Sequence, residues 1–334
     1  MTTVVTGASG HIGANLVRTL LAEDRDVKGI VRTDTRALKG LKIEIVKTDI
    51  RDLDMLIRGF EGAKIVYHLA AVISITGPQG GLVHDVNVNG VRNVVSACLE
   101  CGVKRLVHFS SVHAFQQQPL DEPIVESRAL VGEEAIAYDR SKALGLLEVM
   151  KGVEKGLNAV IIHPSGVIGP YDFKPSRMGT VLLDLFHQKF RALVNGGFNW
   201  VDVRDVVNGA IAIEKKGRTG ENFILSGHWV SFKELADIVG EVTGKKIPHW
   251  ISPMWLARFG APIAQKIAEL KRKDPLFTSE SLLALRANHK MSHAKATKEI
   301  DYSPRPIRIT IKDTYKWFIN KKVDEFPQLD ITHF

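Results

Sequence analysis

Cysteine is nearly missing from this chain, with 2 in 334 residues. That excludes a small scaffold held together by disulfides. The two present, Cys98 and Cys101, have a metal or redox spacing but no second pair to complete a site, so they read as small apolar residues on one helix face. Long uncharged runs are missing as well. The longest, residues 65–84, contains Gly77, Pro78, Gly80 and Gly81 and does not suit a membrane span. No basic segment leading into an apolar one precedes the first strand-like run, so no secretory leader is expected and the predicted location is cytoplasmic. His289 and His293 stand at i, i+4, but Lys-Met-Ser lies between them where a zinc protease needs a glutamate. A packed or surface pair is expected there, and no metal.

What is present is ordinary in amount. Apolar residues make up 45% and charged residues 25%, too apolar for disorder and enough for a full-sized core. At ~150 residues per domain, the length predicts roughly two domains. The charge is uneven. Residues 1–244 hold 28 basic and 28 acidic side chains, whereas residues 245–334 hold 17 and 9, so the net +8 lies in the last 90 residues. A solvated basic surface is the plain reading, and attraction to an anionic substrate or membrane surface is the sharper one. A nucleic-acid partner is not expected.

Short β-rich runs at 3–6, 27–31, 43–48, 65–69, 105–110 and 158–163 alternate with helical patterns, including 12–21 and 88–101. Near-continuous apolar strands separated by helices predict an α/β fold, a doubly wound parallel sheet of Rossmann type. From Pro164 the rhythm changes, with frequent Pro and Gly and short pieces. The expected division is a dinucleotide-binding domain over 1–165, to which segments around 200–215 return, and a smaller α/β substrate domain over 166–334. Ser231 and Glu234 form a capping-box pattern that opens a helix through Val242. Met254 to Lys273 carries apolar residues at helical spacing among lysines and arginines. It reads as an amphipathic cover of the substrate domain, with a lid or an interfacial helix as the alternatives.

The strongest motif opens the chain: Gly7, Gly10 and Gly13 between an apolar strand and an amphipathic helix. One glycine permits the turn, one admits a pyrophosphate to the backbone, and one lets helix and sheet pack closely. The second strand ends Val31-Arg32, with Arg36 a turn later, where an NAD site usually has Asp or Glu. A guanidinium suits a 2′-phosphate, so NADP is expected over NAD. Asp49, after the third strand, is a candidate acceptor for the adenine amino group. Small residues after His68 leave room for a flat ring. Tyr138 and Lys142 stand at i, i+4 and share a helix face. The ammonium is expected to lower the phenol's pKa toward that of an acid/base catalyst, and Ser111 to hold a substrate oxygen.

Taken together, these residues resemble the extended short-chain dehydrogenase/reductases, the NAD-dependent epimerase/dehydratase family. Within it they are most similar to bacterial proteins like dihydroflavonol 4-reductase, bordering on 3β-hydroxysteroid dehydrogenases and sugar epimerases. The resemblance runs through Thr6–Gly13, Val31-Arg32, Asp49-Ile50, His68–Ala71, Asn87–Gly90, Phe109–Ser111, Tyr138–Lys142, His163–Pro170, Val201–Val206 and Ile300–Pro304. It implies Ser111, Tyr138 and Lys142 as catalytic residues. It also implies a cofactor set of Gly7, Ser9, Gly10, His11, Ile12, Gly13, Arg32, Arg36, Asp49, Ile50, Leu69, Ala70, Ala71, Asn89, Ser110, Tyr138, Lys142, Pro164, Ser165, Gly166 and Val167. His11 replaces the usual aromatic of the glycine loop. Val112-His113 stand where dehydratases of nucleotide sugars carry an Asp-Glu pair, and His163 stands where sugar-nucleotide enzymes often have asparagine. The expected protein is an NADP(H)-dependent reductase or dehydrogenase of a carbonyl/alcohol substrate, apolar or anionic, with NAD(H) as the other cofactor option. A homodimer is expected through 88–101 and 138–155. The alternatives are an epimerase that retains its NAD and, less favoured, a dinucleotide-sensing protein without turnover.

Overall fold

The computed structural model describes residues 2–190, 192–248, 250–253, 280, 285 and 287–320. Seven strands form one parallel sheet: β1 (Thr2–Thr6), β2 (Asp26–Val31), β3 (Glu44–Lys47), β4 (Ile65–His68), β5 (Arg105–Phe109), β6 (Ala159–Pro164) and β10 (Asn222–Leu225). Their order is β10-β6-β5-β4-β1-β2-β3. Successive side chains on a strand point to opposite faces, and here both faces are covered. Val5, Tyr67, Val107 and Ile162 pack beneath helices α1 (His11–Ala22) and α7 (Val203–Lys216). Val4, Val66, Leu106 and Ile161 pack beneath α2 (Leu53–Phe60), α4 (Gly90–Glu100) and α5 (Ala137–Glu154). This is the doubly wound α/β architecture expected from the alternation. The chain leaves β1 toward β2 and β3 and then crosses to β4 on its other side. The crevice above the carboxyl end of β1 is the switch point at which such sheets bind ligands.

The helix entering α4 starts earlier than its sequence pattern, with α3 (Leu82–His84) running on through a π-helical stretch at Asp85–Asn89. The return to the sheet also reaches beyond residues 200–215, because β10 forms its edge beside β6.

Ala296, Ile300 and Tyr302 pack into the first core, and most of the other described elements build a second, smaller one. Strands β7 (Gly166–Ile168), β9 (Gly197–Asp202) and β11 (His228–Ser231) form one sheet, and β8 (Leu193–Val194) pairs with β12 (Ile251–Ser252). They pack with α6 (Arg177–Phe186), α8 (Phe232–Thr243) and the helix Ile307–Asn320 around Trp200, Leu182, Leu235 and Ile311. Side chains cap the helix starts: Ser176 accepts from Gly179 N at 3.0 Å, and Ser231 from Glu234 N at 3.1 Å, as its sequence pattern predicts. Met254 to Lys273 lies outside the described residues. Among the described residues no helix is long and apolar enough to cross a membrane, and no cluster of His, Cys, Asp and Glu is arranged for a metal.

Candidate active site

The glycine loop follows from backbone sterics. Gly7 has φ +68°, and a Cβ there would stand 2.7 Å from the Ala70 amide nitrogen. A Cβ on Gly13 would stand 2.2 Å from the Gly7 carbonyl oxygen. The loop can therefore lie this close to the ends of β1 and β4 only with hydrogen at both positions. Gly10 begins α1 without a side-chain cap, leaving the first-turn amides facing the crevice. Thr6 Oγ1 bonds His68 Nδ1 at 2.7 Å and accepts from the Leu69 and Ala70 amides, clamping the two strand ends together. His11 contributes more than an aromatic ring would. Its Nε2 lies 3.1 Å from the carbonyl oxygens of both Gly169 and Pro170, and Asn15 donates to Pro170 as well.

From this loop a continuous cleft runs toward the second core. Gly7, Gly10, His11, Ile12, Gly13, Leu69, Ala71, Ser110, Ser111, Tyr138, Lys142, Pro164, Ser165, Gly166 and Val167 all line it. The other residues of the expected set lie elsewhere. Ser9 and Ala70 belong to the loop and the β4 end but do not line the cleft. Arg32 is exposed past β2, and Arg36 pairs with Asp34 at 2.7 Å. Asp49 borders a separate groove, where Arg51 already donates to both its oxygens; those hydrogen bonds hold its carboxyl below the usual range. Ile50 is buried under Gly90. Asn89 bonds Asp85 and Arg92 on the helix exterior.

The residue turned inward from that helix is Asn87, which the sequence reading did not select. It accepts from Val72 N and donates to Val72 O, both at 2.8 Å, and donates to Ser141 Oγ at 2.9 Å. Ser141 in turn donates to the Tyr138 carbonyl at 2.7 Å. Asn87 lies inside the π stretch, and its inward position is recorded only by these tertiary contacts.

At the cleft floor, Ser110 and Ser111 follow the end of β5, and α5 carries Tyr138 and Lys142 one turn apart. Lys142 Nζ donates to the Phe109 carbonyl at 2.8 Å. Burial lowers its pKa to about 8. The phenol differs from expectation: its pKa is pushed up to about 12 by burial, against a lowering hydrogen bond with Ser111 and a raising effect of Asp139. Lys142 does not figure among these influences; its ammonium is directed at the Phe109 carbonyl instead. Behind Lys142 lie three buried histidines, His68, His108 and His163, all with pKa values lowered mainly by burial and hence neutral. His163 is within 3.1 Å of the Ser111 carbonyl and 3.0 Å of Asn222.

A second pair faces the cleft beside the first. His113, just past Ser111, brings Nδ1 to 3.2 Å from Asp139, the neighbour of Tyr138. Opposite them the wall is mostly apolar, with Met178, Val181, Phe190, Phe198, Trp229 and Phe232. This wall comes from α6, β9, β11, α8 and the loop after α6, all in the second core, and no local motif announces it. Of the other paired residues, Cys98 is buried with its thiol pushed up by burial, and His293 bonds Thr297 at 2.9 Å.

The family model for the NAD dependent epimerase/dehydratase family matches residues 3–226, two thirds of the chain. The chain belongs to this family. Sterol demethylase protein B of Methylococcus capsulatus is 32% identical over 324 residues, covering 95% of this chain and 98% of that protein. The 3beta-hydroxysteroid-dehydrogenase/decarboxylase isoform 1 of Arabidopsis thaliana is 27% identical, covering 96% and 76%. Among solved structures, gox2253 superimposes with a TM-score of 0.82 at 31% identity, covering 95% of this chain and 98% of its own. The family member described here is thus an oxidoreductase of the extended short-chain dehydrogenase/reductase type.

Proposed function

We propose that this oxidoreductase is an NADP(H)-dependent reductase or dehydrogenase of a carbonyl/alcohol group on a small, largely apolar molecule. The observation that carries the reading is the convergence of Ser111, Tyr138 and Lys142 at the floor of a cleft with a glycine-loop cradle at one end and an apolar wall at the other. The cradle fits a dinucleotide. Uncapped amides of α1 face it, Cβ atoms are barred from Gly7 and Gly13, and the Ser110 and Ser165 hydroxyls line it buried and without a hydrogen-bond partner among the described residues. Gly7, Gly10 and Gly13 would hold the pyrophosphate, and Pro164 to Val167 would border the nicotinamide ring. Arg32 would meet a 2′-phosphate, since no acid ends β2.

A bound nicotinamide dinucleotide supplies or takes up the hydride. The chain's own residues supply the proton and the alignment. Ser111 holds the substrate oxygen, and Tyr138 Oη, protonated at neutral pH with its pKa near 12, gives up its proton as the carbonyl becomes an alcohol. Lys142, one turn along α5 and held by the Phe109 carbonyl, keeps a positive charge on the floor of the same cleft as the phenolate forms. Asn87 and Ser141 fix the start of α5, so that the phenol stays aligned. Relatives named for sterol and hydroxysteroid chemistry support an apolar substrate body. Cytoplasmic location and a homodimer through the outer faces of α4 and α5 belong to the same proposal. Leu147 is exposed there beside the Arg92–Glu148–Lys151 ion cluster.

The test is a panel of apolar ketones followed by NADPH absorbance, with Tyr138→Phe as control. Turnover that falls by ~10²–10⁴ in the variant, with NADPH binding retained, is the expected result. A variant that keeps wild-type kcat overturns it. Release of NAD from denatured, freshly purified protein, with no net NADPH consumption, marks the epimerase alternative.

A further inference from the structure

The His113–Asp139 pair is not used by the proton transfer just described, yet it borders the same reacting centre. The His113 ring centroid lies 5.9 Å from that of Tyr138, with the ring planes at 63°. Both side chains line the cleft. Nδ1 lies at ion-pair distance, 3.2 Å, from Asp139 Oδ1, a buried oxygen without another partner among the described residues, and no bond of Nε2 is seen among them. An N–H there faces the same cleft as Tyr138 and Ser111, beside whatever carbonyl those two hold. The substrate oxygen itself does not need it.

The charges facing this end of the cleft favour an anion. Burial disfavours the imidazolium of His113, but the hydrogen bond and attraction of Asp139 outweigh it, and the His113 pKa is raised. Lys142 stands on the floor and Arg177 on the facing wall. The acids are Asp139, already committed to His113, and Glu280. Burial first, and Asp139 second, push the Glu280 carboxyl up toward its neutral form, although a Gly77 backbone contact and Arg177 pull it down.

We propose that His113, oriented by Asp139, forms a carboxylate-binding subsite beside the reacting carbon, so that the preferred substrates are oxo acids or hydroxy acids with an apolar body. The inference deepens the proposed reductase reading and rests on it for the identity of the reacting group. The Asp139 contact leaves one N–H to form a charge-assisted hydrogen bond with the carboxylate. The remaining contacts of the ligand would be with the apolar wall that includes Trp229 and Phe232.

The experiment compares 2-oxo-4-phenylbutanoate with 4-phenylbutan-2-one, which share an apolar body and differ in the carboxylate. The kcat/KM ratio, acid over ketone, is measured with NADPH from pH 6 to 9 in wild type, His113→Gln and Asp139→Asn. The ratio cancels effects common to both substrates, including titration of Lys142. Wild type should favour the acid at low pH and lose the preference as pH rises through the His113 pKa. The ratio should fall about tenfold to a hundredfold in His113→Gln, the range of one hydrogen bond to a charged group. In Asp139→Asn the window should move to lower pH. Quenching of tryptophan fluorescence, reporting through Trp229 in the cleft, measures binding of both compounds without turnover. Binding preference for the acid that disappears in His113→Gln, with neither compound reduced, would reject the reductase reading and retain the subsite. An equal affinity of wild type for both compounds, or a ratio unchanged in His113→Gln, overturns the subsite whatever the turnover.

Discussion

Lys142→Met separates what the site needs from what the fold prefers. Lys142 is 6% exposed, and burial takes its pKa from 10.5 to about 8. A shift of about 2.5 units corresponds to ~3.4 kcal/mol at 1.36 kcal/mol per unit. The sign follows from proton binding. Between pH 8 and 10.5 the unfolded chain binds this proton more tightly than the folded one, so wild-type stability rises with pH across that window. Below pH 8 both states are protonated, and the folded state bears the whole cost. Methionine has nearly the same length and no charge, so it removes that cost. It also removes the 2.8 Å hydrogen bond to the Phe109 carbonyl, a loss of roughly 1–2 kcal/mol. The variant should therefore be about 2 kcal/mol more stable than wild type at pH 7. The advantage should shrink above pH 8 and change sign near pH 9–10, where the lysine cost has fallen below the hydrogen-bond term. Turnover should be lost at every pH. The assay is urea unfolding of wild type and variant at pH 7 and 10, with NADPH consumption measured alongside. A variant less stable than wild type at pH 7, or a difference that does not vary with pH, would refute the argument from burial.

Three further outcomes follow from the geometry. Arg32→Ala should weaken NADPH binding far more than NADH binding in parallel titrations, because only the former carries the 2′-phosphate; equal losses would reject the NADP preference. Asn87→Ala removes three hydrogen bonds that join α5 to the β4 end, and should lower kcat by about tenfold or more while the Tyr138 and Lys142 side chains remain. Restoration of wild-type kcat in Asn87→Ala by a second-site change elsewhere than α5 would speak against a positioning role. Sedimentation at micromolar concentration should show a dimer, and a species of only the 37.0 kDa chain mass would exclude it.

Much of this molecule is legible in its sequence because the deciding interactions are local. Gly7, Gly10 and Gly13 announce a close backbone approach through their lack of Cβ, and the structure shows the contacts that a Cβ would violate. Alternating apolar strands and amphipathic helices specify the doubly wound sheet, since side-chain periodicity is itself a statement of which faces are covered. Tyr138 and Lys142 share a face because four residues make nearly one helical turn. Tertiary structure decided the rest. Within the π stretch at Asp85–Asn89, Asn87 bonds inward to Ser141 while Asn89 bonds Asp85 and Arg92 outside, a choice made by contacts distant in the chain. Arg51 occupied the carboxylate of Asp49, and Asp34 the guanidinium of Arg36, through contacts that depend on loop geometry. The direction of the Tyr138 shift depended on burial and on where the Lys142 ammonium pointed, neither of which spacing records. The apolar wall and the His113–Asp139 contact assemble residues distant in the chain, and long-range packing alone brings them to one cleft.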